Sequence, residues 1–202
     1  MQITKREFLR KLGLAGAAGV TKMSHCLVRR AGISGFTTNT DRDCGGVTIE
    51  AGSLAIDNTL FDGGHSNSVE VTGGTLAMTN VTIVGNDANG LRVWGGTVTV
   101  KNSILWGNQC DAAGAFTATY SDIQGAAADE GAHVMSVDPL LYGPTKKRAY
   151  HLRAGSPCAG KGDATGWTAA DTDLDGLPRI KNGKVDLGCY SFNALGLLLM
   201  LK

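Results

Sequence analysis

The chain has 202 residues, a formal net charge of +1 at pH 7 and only 18% charged residues. A chain of this length fits one domain with short appendages, and its balanced charge gives no basic footprint for binding nucleic acid. The 29 glycines and four prolines fit a fold with many tight turns.

The first 20 residues predict export. Residues 4–10 read Thr-Lys-Arg-Glu-Phe-Leu-Arg, and a mildly apolar stretch of small residues follows over 12–20. This opening resembles a twin-arginine export signal, with Lys5 in place of the first arginine, and it implies a periplasmic, extracellular or cell-surface location. The alternative is an N-terminal helix that caps the following domain, with Phe8 and Leu12 on one face. Residues 21–44 show no clear pattern and are expected to form a loop or a degenerate coil.

Three stretches after residue 45 repeat one another at a spacing of 22 residues. The repeat columns are Val47, Val69 and Leu91; Leu54, Leu76 and Val98; Ile56, Met78 and Val100; Asn58, Asn80 and Asn102; and Phe61, Ile83 and Leu105. A fixed period in this range indicates a repeat architecture, in which each unit buries its apolar face by stacking on its neighbours.

Within one unit the apolar residues recur at every second position, which is the period of a β-strand. Glycine pairs such as Gly73-Gly74 and Gly95-Gly96 break each run, as expected at sharp turns. The pattern predicts an all-β fold, a short parallel β-helix of about four coils over residues 45–126, with a β-sandwich as the structural alternative. A leucine-rich repeat is disfavoured because its L-x-x-L-x-L pattern is missing.

The fourth coil is expected to be shortened. Phe116, Ala118 and Ile123 match Val98, Val100 and Leu105 at an offset of 18 residues. The four missing residues are predicted to come from the strand that matches residues 91–94. Since both ends of a solenoid expose strand edges, each end needs a cap.

The asparagine column predicts corners. Asn tolerates the left-handed backbone conformation at a tight bend, and its amide donates and accepts hydrogen bonds along a stack of copies. We therefore interpret Asn58, Asn80 and Asn102 as structural residues.

The second half of the chain carries an ordered series of motifs. They lie at 102–108, 120–125, 138–141, 150–158, 173–179 and 185–190. In this order they resemble the late coils and the choice-of-anchor C-terminal region of bacterial right-handed, pectate-lyase-like β-helix proteins. The resemblance implies a right-handed solenoid, a secreted or surface location and a module of longer surface assemblies, but no activity. We expect residues 127–193 to cap the open end. The apolar tail, 194–202, is too short for a transmembrane segment.

Asp171, Asp173 and Asp175, followed by Gly176, form the sharpest local motif. Carboxylates at alternate positions before a glycine are typical of calcium loops, so these three residues are a candidate calcium site, to which Asp186 would add a ligand. The bidentate glutamate of an EF-hand is missing, since Asn182 stands in its place. The alternative is a polar turn.

Other residue pairs suggest chemistry or cross-linking. A polysaccharide lyase would need basic residues on neighbouring coils, for which Arg92 and Lys101 are the candidates; an ion pair of Arg92 with Glu70 is the alternative. Trp94 and Trp106 are a candidate surface for stacking on sugars, with packing as the alternative. Cys158 and Cys189 are a candidate disulfide in an exported protein.

Three histidines, His65, His133 and His151, stand alone in the sequence and are interpreted as solvated or capping residues.

The sequence as a whole favours an exported non-catalytic β-helix module, structural or adhesive, whose partner is a polysaccharide or cell-surface glycan. The alternative is a polysaccharide lyase or glycosidase, or a fragment of one, and catalytic residues are not identified.

Overall fold

A computed structural model describes residues 21–29, 46–129, 131–146 and 148–192. The predicted export signal or cap helix at 1–20, residues 30–44 of the predicted loop or degenerate coil at 21–44, and the apolar tail at 194–202 lie outside the described residues. The described part of the chain is all-β and contains no helix; it forms a parallel β-solenoid of about four turns with a period of about 22 residues, as predicted.

Three parallel sheets make the solenoid. Sheet A has the order β1-β4-β7-β10-β13, sheet B the order β15-β14-β11-β8-β5-β2, and sheet C the order β12-β9-β6-β3. The strands are β1 (Thr21–Ser24), β2 (Leu27–Arg29), β3 (Val47–Ile49), β4 (Ser53–Asp57), β5 (Leu60–Asp62), β6 (Val69–Val71), β7 (Thr75–Thr79), β8 (Thr82–Val84), β9 (Asn89–Val93), β10 (Thr97–Lys101), β11 (Ile104–Trp106), β12 (Cys110–Ala113), β13 (Thr117–Thr119), β14 (Ser121–Ile123), β15 (Val134–Met135), β16 (Ile180–Lys181) and β17 (Lys184–Val185). The last two form a small antiparallel pair.

The register of the sheets follows the sequence period. Leu54 pairs with Leu76 and Leu76 with Val98, while Phe61 pairs with Ile83 and Ile83 with Leu105. One further layer precedes these coils, because Thr21 pairs with Leu54 and Leu27 with Leu60. That layer is offset from its neighbour by 33 residues instead of 22.

The fourth coil is shortened in its turns and not, as predicted, in the strand that matches residues 91–94. Thr117 pairs with Thr99 at the expected offset, but the strand that matches β9 is present: β12 pairs Ala112 with Leu91. One residue is missing from the turn before β12, and the other three are missing between β12 and β13. Turns shorten more readily than strands because a shortened strand loses ladder hydrogen bonds and core contacts.

Side chains that point into the solenoid form one continuous core. Its central members are buried, and they stack as rows along the axis: Met23, Ile56, Met78 and Val100; Leu76 and Val98; Val69 and Leu91; Val71 and Val93; and Phe61, Ile83, Leu105 and Ile123. Each coil alone would leave these residues exposed, so stacking supplies most of the burial.

Sheet B is buried on both faces. Its outward row contains Leu60, Thr82, Ile104 and Asp122, all with a relative exposure of 1% or less. Residues 138–192, which we call the strap, cover this row through Leu152, Cys158, Leu187 and Cys189, among others.

The position of the strap corrects the expectation that residues 127–193 close the open end. Only the beginning of that segment continues the solenoid, where β15 pairs with β14. The strap instead contacts side chains of successive coils, from Asn58 to Asn80 and Asn102. It lies along the flank because outward apolar residues on sheet B offer more surface to bury there than the end of one coil does.

Candidate functional site

The corner between sheets A and B is a column of left-handed residues. Asn58, Asn80 and Asn102 have φ of 44°, 53° and 52°, and His25 and Tyr120 continue the column with φ of 52° and 47°. The three asparagines are fully buried. The prediction that they are corner residues is confirmed.

The asparagine amides bind the strap more than they bind one another. One ladder bond joins Nδ2 of Asn102 to Oδ1 of Asn80 at 3.2 Å. Asn80 Nδ2 also donates to the carbonyl oxygens of Asp186 and Gly188, and Asn102 exchanges two 2.8 Å hydrogen bonds with the backbone of Asp163. The column is therefore the docking line of the strap.

Arg179 anchors the strap at its first corner. Its side chain is fully buried, and its guanidinium donates to Oδ1 of Asn58 at 2.5 Å and to the carbonyl oxygens of Gly188 and Cys189. Burial lowers the pKa of this guanidinium from its ordinary value, while Asp173 opposes that shift. Three oxygen acceptors compensate part of the cost of burying the charge.

Lys101 is engaged by the strap and does not face Arg92. Its Nζ lies 2.7 Å from Oδ2 of Asp163 and 3.1 Å from the carbonyl oxygen of Thr165. The hydrogen bond from Lys101 holds the pKa of Asp163 at about 2. This lysine stabilises the edge of the strap, which is a structural role.

The two strap cysteines are free thiols, so the predicted disulfide between Cys158 and Cys189 is wrong for this structure. Cys158 donates to Oδ2 of Asp122 at 3.2 Å, while Cys189 packs with Leu60 and Val84 in a separate cluster. Burial raises the pKa of the Cys189 thiol to about 12, and burial with the Asp122 carboxylate raises that of Cys158 further. Neither thiol has the exposed, electropositive setting of a reactive cysteine.

Asp122 is an unusual buried carboxyl on the outward row of sheet B. Burial raises its pKa from the ordinary 3.8 to about 6, although the hydrogen bonds from the Val137 amide and the Cys158 thiol act in the other direction. The group is enclosed under the strap and faces no open surface, so its ionisation affects the stability of the fold and not a surface site.

The three aspartates of the candidate calcium motif do not converge. Asp173 is fully buried and accepts backbone N–H groups of Asp175, Leu177 and Ser191. Asp171 accepts from the amide and hydroxyl of Thr168, while Asp175 lies 2.7 Å from Nε2 of His151.

Asp186, the fourth proposed ligand, accepts the amides of Gly160 and Phe192. In the described part of the chain, no group of three or more His, Cys, Asp or Glu side chains is arranged to hold a metal ion. Calcium at Asp171, Asp173 and Asp175 therefore stays a prediction without geometric support.

The three histidines occupy separate places. His151 is buried and stacks on Tyr190 with ring centroids 3.8 Å apart. His133 stacks on Tyr120 at 4.4 Å, at the last corner of the column. His65 is exposed and lies 2.6 Å from Asp87.

Trp94 and Trp106 lie in different environments and form no joint surface. Trp106 is partly buried and packs against the strap clusters. Trp94 is 64% exposed on the outer side of sheet C. Its Nε1 donates to Oε1 of Glu70 at 2.8 Å, and the Arg92 guanidinium lies 3.9 Å from the centroid of its ring.

The contacts of Trp94 also bear on the predicted ion pair of Arg92 with Glu70. Glu70 and Arg92 are neighbours in register, as expected, but Glu70 accepts the indole N–H, and the ion pairs of the described residues do not include this pair. Trp94 therefore contacts both Arg92 and Glu70.

The docking line and its partner residues in the strap were not identified from the sequence. One signal pointed to them: β5, β8 and β11 carry apolar residues at outward as well as inward positions, as in Leu60-Phe61 and Ile104-Leu105. Strands buried on both faces show such runs instead of alternation.

Comparisons of the chain with protein-family models, with curated proteins and with solved structures find no match. Among the described residues, no helix is long and apolar enough to cross a membrane.

Proposed function

We propose that this protein is an exported, non-catalytic β-solenoid module that contacts an extracellular polysaccharide or cell-surface glycan. In this proposal the fold is the right-handed, pectate-lyase-like form with a choice-of-anchor C-terminal region, and the module works within a longer surface assembly. The ordered C-terminal motifs support the affiliation, and the basic opening of the chain supports export.

The observation that carries the proposal is the separation of Arg92 from Lys101. The guanidinium of Arg92 rests on Trp94 on sheet C, whereas Lys101 lies at the edge of sheet A, paired with Asp163 of the strap. A lyase needs a base and a cation that converge on one sugar ring, and these two side chains contact different parts of the molecule.

The exposed sheets support a role in contact. The strap covers sheet B, so sheets A and C carry the solvent-facing side chains. On sheet A these include Thr75, Thr97, Thr99 and Thr117, and Thr72 and Trp94 directly follow strands of sheet C. Hydroxyl groups and one aromatic ring on a rigid surface suit sugars, which present hydroxyl groups and apolar C–H faces.

Two measurements on the full chain test the proposal. Affinity electrophoresis in gels that contain neutral or acidic polysaccharides measures binding, and incubation with the same polysaccharides measures unsaturated or reducing ends. We expect retarded migration without product, and we expect the heat-denatured chain to show neither.

Product release that is lost in Lys101→Ala or Arg92→Ala would overturn the proposal and favour the lyase. Unretarded migration in every gel would remove glycan contact from the proposal.

A further inference from the structure

Trp94 is held in one orientation although it is exposed. Its indole N–H is fixed by Glu70 on the coil below, and the Arg92 guanidinium lies against its ring at 3.9 Å. Since one face of the indole is occupied by Arg92, the 64% exposure belongs to the opposite face and the rim. A pre-oriented aromatic face loses little conformational entropy when a ligand stacks on it.

The surroundings of Trp94 are open. The chain turns directly after it through Gly95 and Gly96, and the coil below makes the equivalent turn through Gly73 and Gly74. These four glycines present no side chains beside the indole. The glycines therefore leave room beside the ring for a ligand.

A polar row continues from Trp94 along the solenoid axis. The amide of Trp94 donates to the carbonyl of Val71, and the amide of Thr72 donates to that of Ile49, so Trp94, Thr72 and Glu50 are stacked in successive coils. All three residues are exposed. At about 4.8 Å per coil, Glu50 lies about 10 Å from Trp94. A sugar unit in an extended glycan has nearly the same length as this coil spacing.

The geometry points to a binding track, made of Trp94, Thr72 and Glu50, for a neutral polysaccharide whose chain runs along the solenoid axis. One pyranose ring stacks its apolar C–H face on Trp94, because the negative face of an aromatic ring attracts C–H groups. Hydroxyl groups of the following units bond to Thr72 and Glu50. This inference rests on the proposed function and adds the ligand class.

Charge selects the neutral class. Glu50 lies on the track and Glu70 beside it, whereas the guanidinium of Arg92 is turned towards the indole ring. The two carboxylates outnumber the one cation, which already contacts the indole ring. The track therefore repels uronic acids, since like charges at close range disfavour binding.

Affinity electrophoresis of the full chain tests the track, with a mixed-linkage β-glucan, a galactomannan and polygalacturonate as probes. We expect the unaltered chain to be retained by a neutral glycan and not by polygalacturonate. Trp94→Ala should weaken retention about tenfold, the effect of losing one aromatic contact, while Trp94→Phe keeps most of it. Glu50→Gln should allow polygalacturonate to bind.

Val137→Ala is the matched control, because Val137 is the other large exposed apolar side chain, 50% exposed, and lies outside the track. Stronger retention by polygalacturonate than by the neutral glycans, or unchanged retention of Trp94→Ala, would overturn the track and leave the proposed function standing. Absence of retention by any probe would overturn both.

Discussion

Buried carboxyl groups in this protein differ in what they do for stability, and Asp122 and Asp173 illustrate the contrast. Asp173 accepts three backbone N–H groups, which satisfy its buried oxygens. Asp122 accepts one amide and one weak thiol donor, so burial favours its protonated form.

The first prediction concerns pH. Because the pKa of Asp122 is raised from 3.8 to about 6, the folded chain holds this proton more tightly than the unfolded chain does. Its contribution is complete below about pH 4 and is lost as the pH rises through 6, at a cost of up to about 3 kcal/mol. Asp122→Asn should therefore gain stability relative to the parent above pH 6, as urea unfolding between pH 4 and 8 would show.

Glu50→Gln, at an exposed position, is the control for the pH series and should follow the parent. Parallel pH profiles of Asp122→Asn and the parent would contradict a titrating Asp122.

The second prediction separates a polar turn from a calcium site. Asp173→Asn replaces one acceptor oxygen by a donor facing the Ser191 amide, so we expect a loss of about 2–4 kcal/mol, equal with calcium and with chelator. Asp171→Asn, on the surface of the same motif, should have a much smaller effect. Urea unfolding in both buffers measures this; a loss that appears only with calcium would support calcium binding by Asp171, Asp173 and Asp175.

At the scale of strands, the repeat columns carry the core. Leu76 is fully buried between Leu54 and Val98 in register. We expect Leu76→Ala, and likewise Ile83→Ala, to lower the free energy of unfolding by about 2–5 kcal/mol, because each leaves a cavity between coils. Thr99→Ala, on the exposed side of the same sheet, should change it by less than about 0.5 kcal/mol. Equal urea midpoints for Leu76→Ala and Thr99→Ala would contradict the register.

The strands were predictable because a 22-residue period places each residue next to its own equivalents. Neighbour identity then follows from sequence alone, as for Asn58, Asn80 and Asn102. The strap has no such period, and its contacts join residues as far apart as Asn58 and Arg179. Short-range patterns carry no information on such pairs, so its position on the flank and the free thiols of Cys158 and Cys189 were not predicted.

In the candidate sites, too, the contacts set by the repeat period were predictable and the other contacts were not. The register of Glu70 with Arg92 was predictable from the repeat. That Glu70 binds the indole of Trp94 and not the guanidinium of Arg92 was not, because it depends on side-chain rotamers. The three aspartates looked convergent because they alternate in sequence. The chain turns between them, and Asp171, Asp173 and Asp175 bond to Thr168, backbone amides and His151 respectively.

At the scale of the whole molecule, the strap packs very closely against the solenoid at Gly188. Its amide donates to the Asn102 carbonyl, its φ is +81°, and an added Cβ would lie 2.6 Å from Oγ1 of Thr82. We expect Gly188→Ala to cost about 2–5 kcal/mol, from backbone strain and overpacking together.

Gly176→Ala is the matched control, because Gly176 has nearly the same φ, +80°, and nothing lies within 4 Å of an added Cβ. Gly176→Ala should lower the free energy of unfolding only by the backbone strain, about 1–2 kcal/mol. Urea unfolding of both variants gives the difference, and equal losses would show that Gly188 does not pack closely against the solenoid.

The strap also limits where a repeat can be inserted into this solenoid. Solenoids ordinarily lengthen by duplication of a repeat, because each unit contacts only its neighbours. Here Arg179, Asp186 and Asp163 meet three successive corners at Asn58, Asn80 and Asn102. A duplicated coil would move two of these corners apart by about 4.8 Å, and the strap would no longer reach both. Insertion of a repeat between Asn58 and Asn102 therefore requires the strap to lengthen in step.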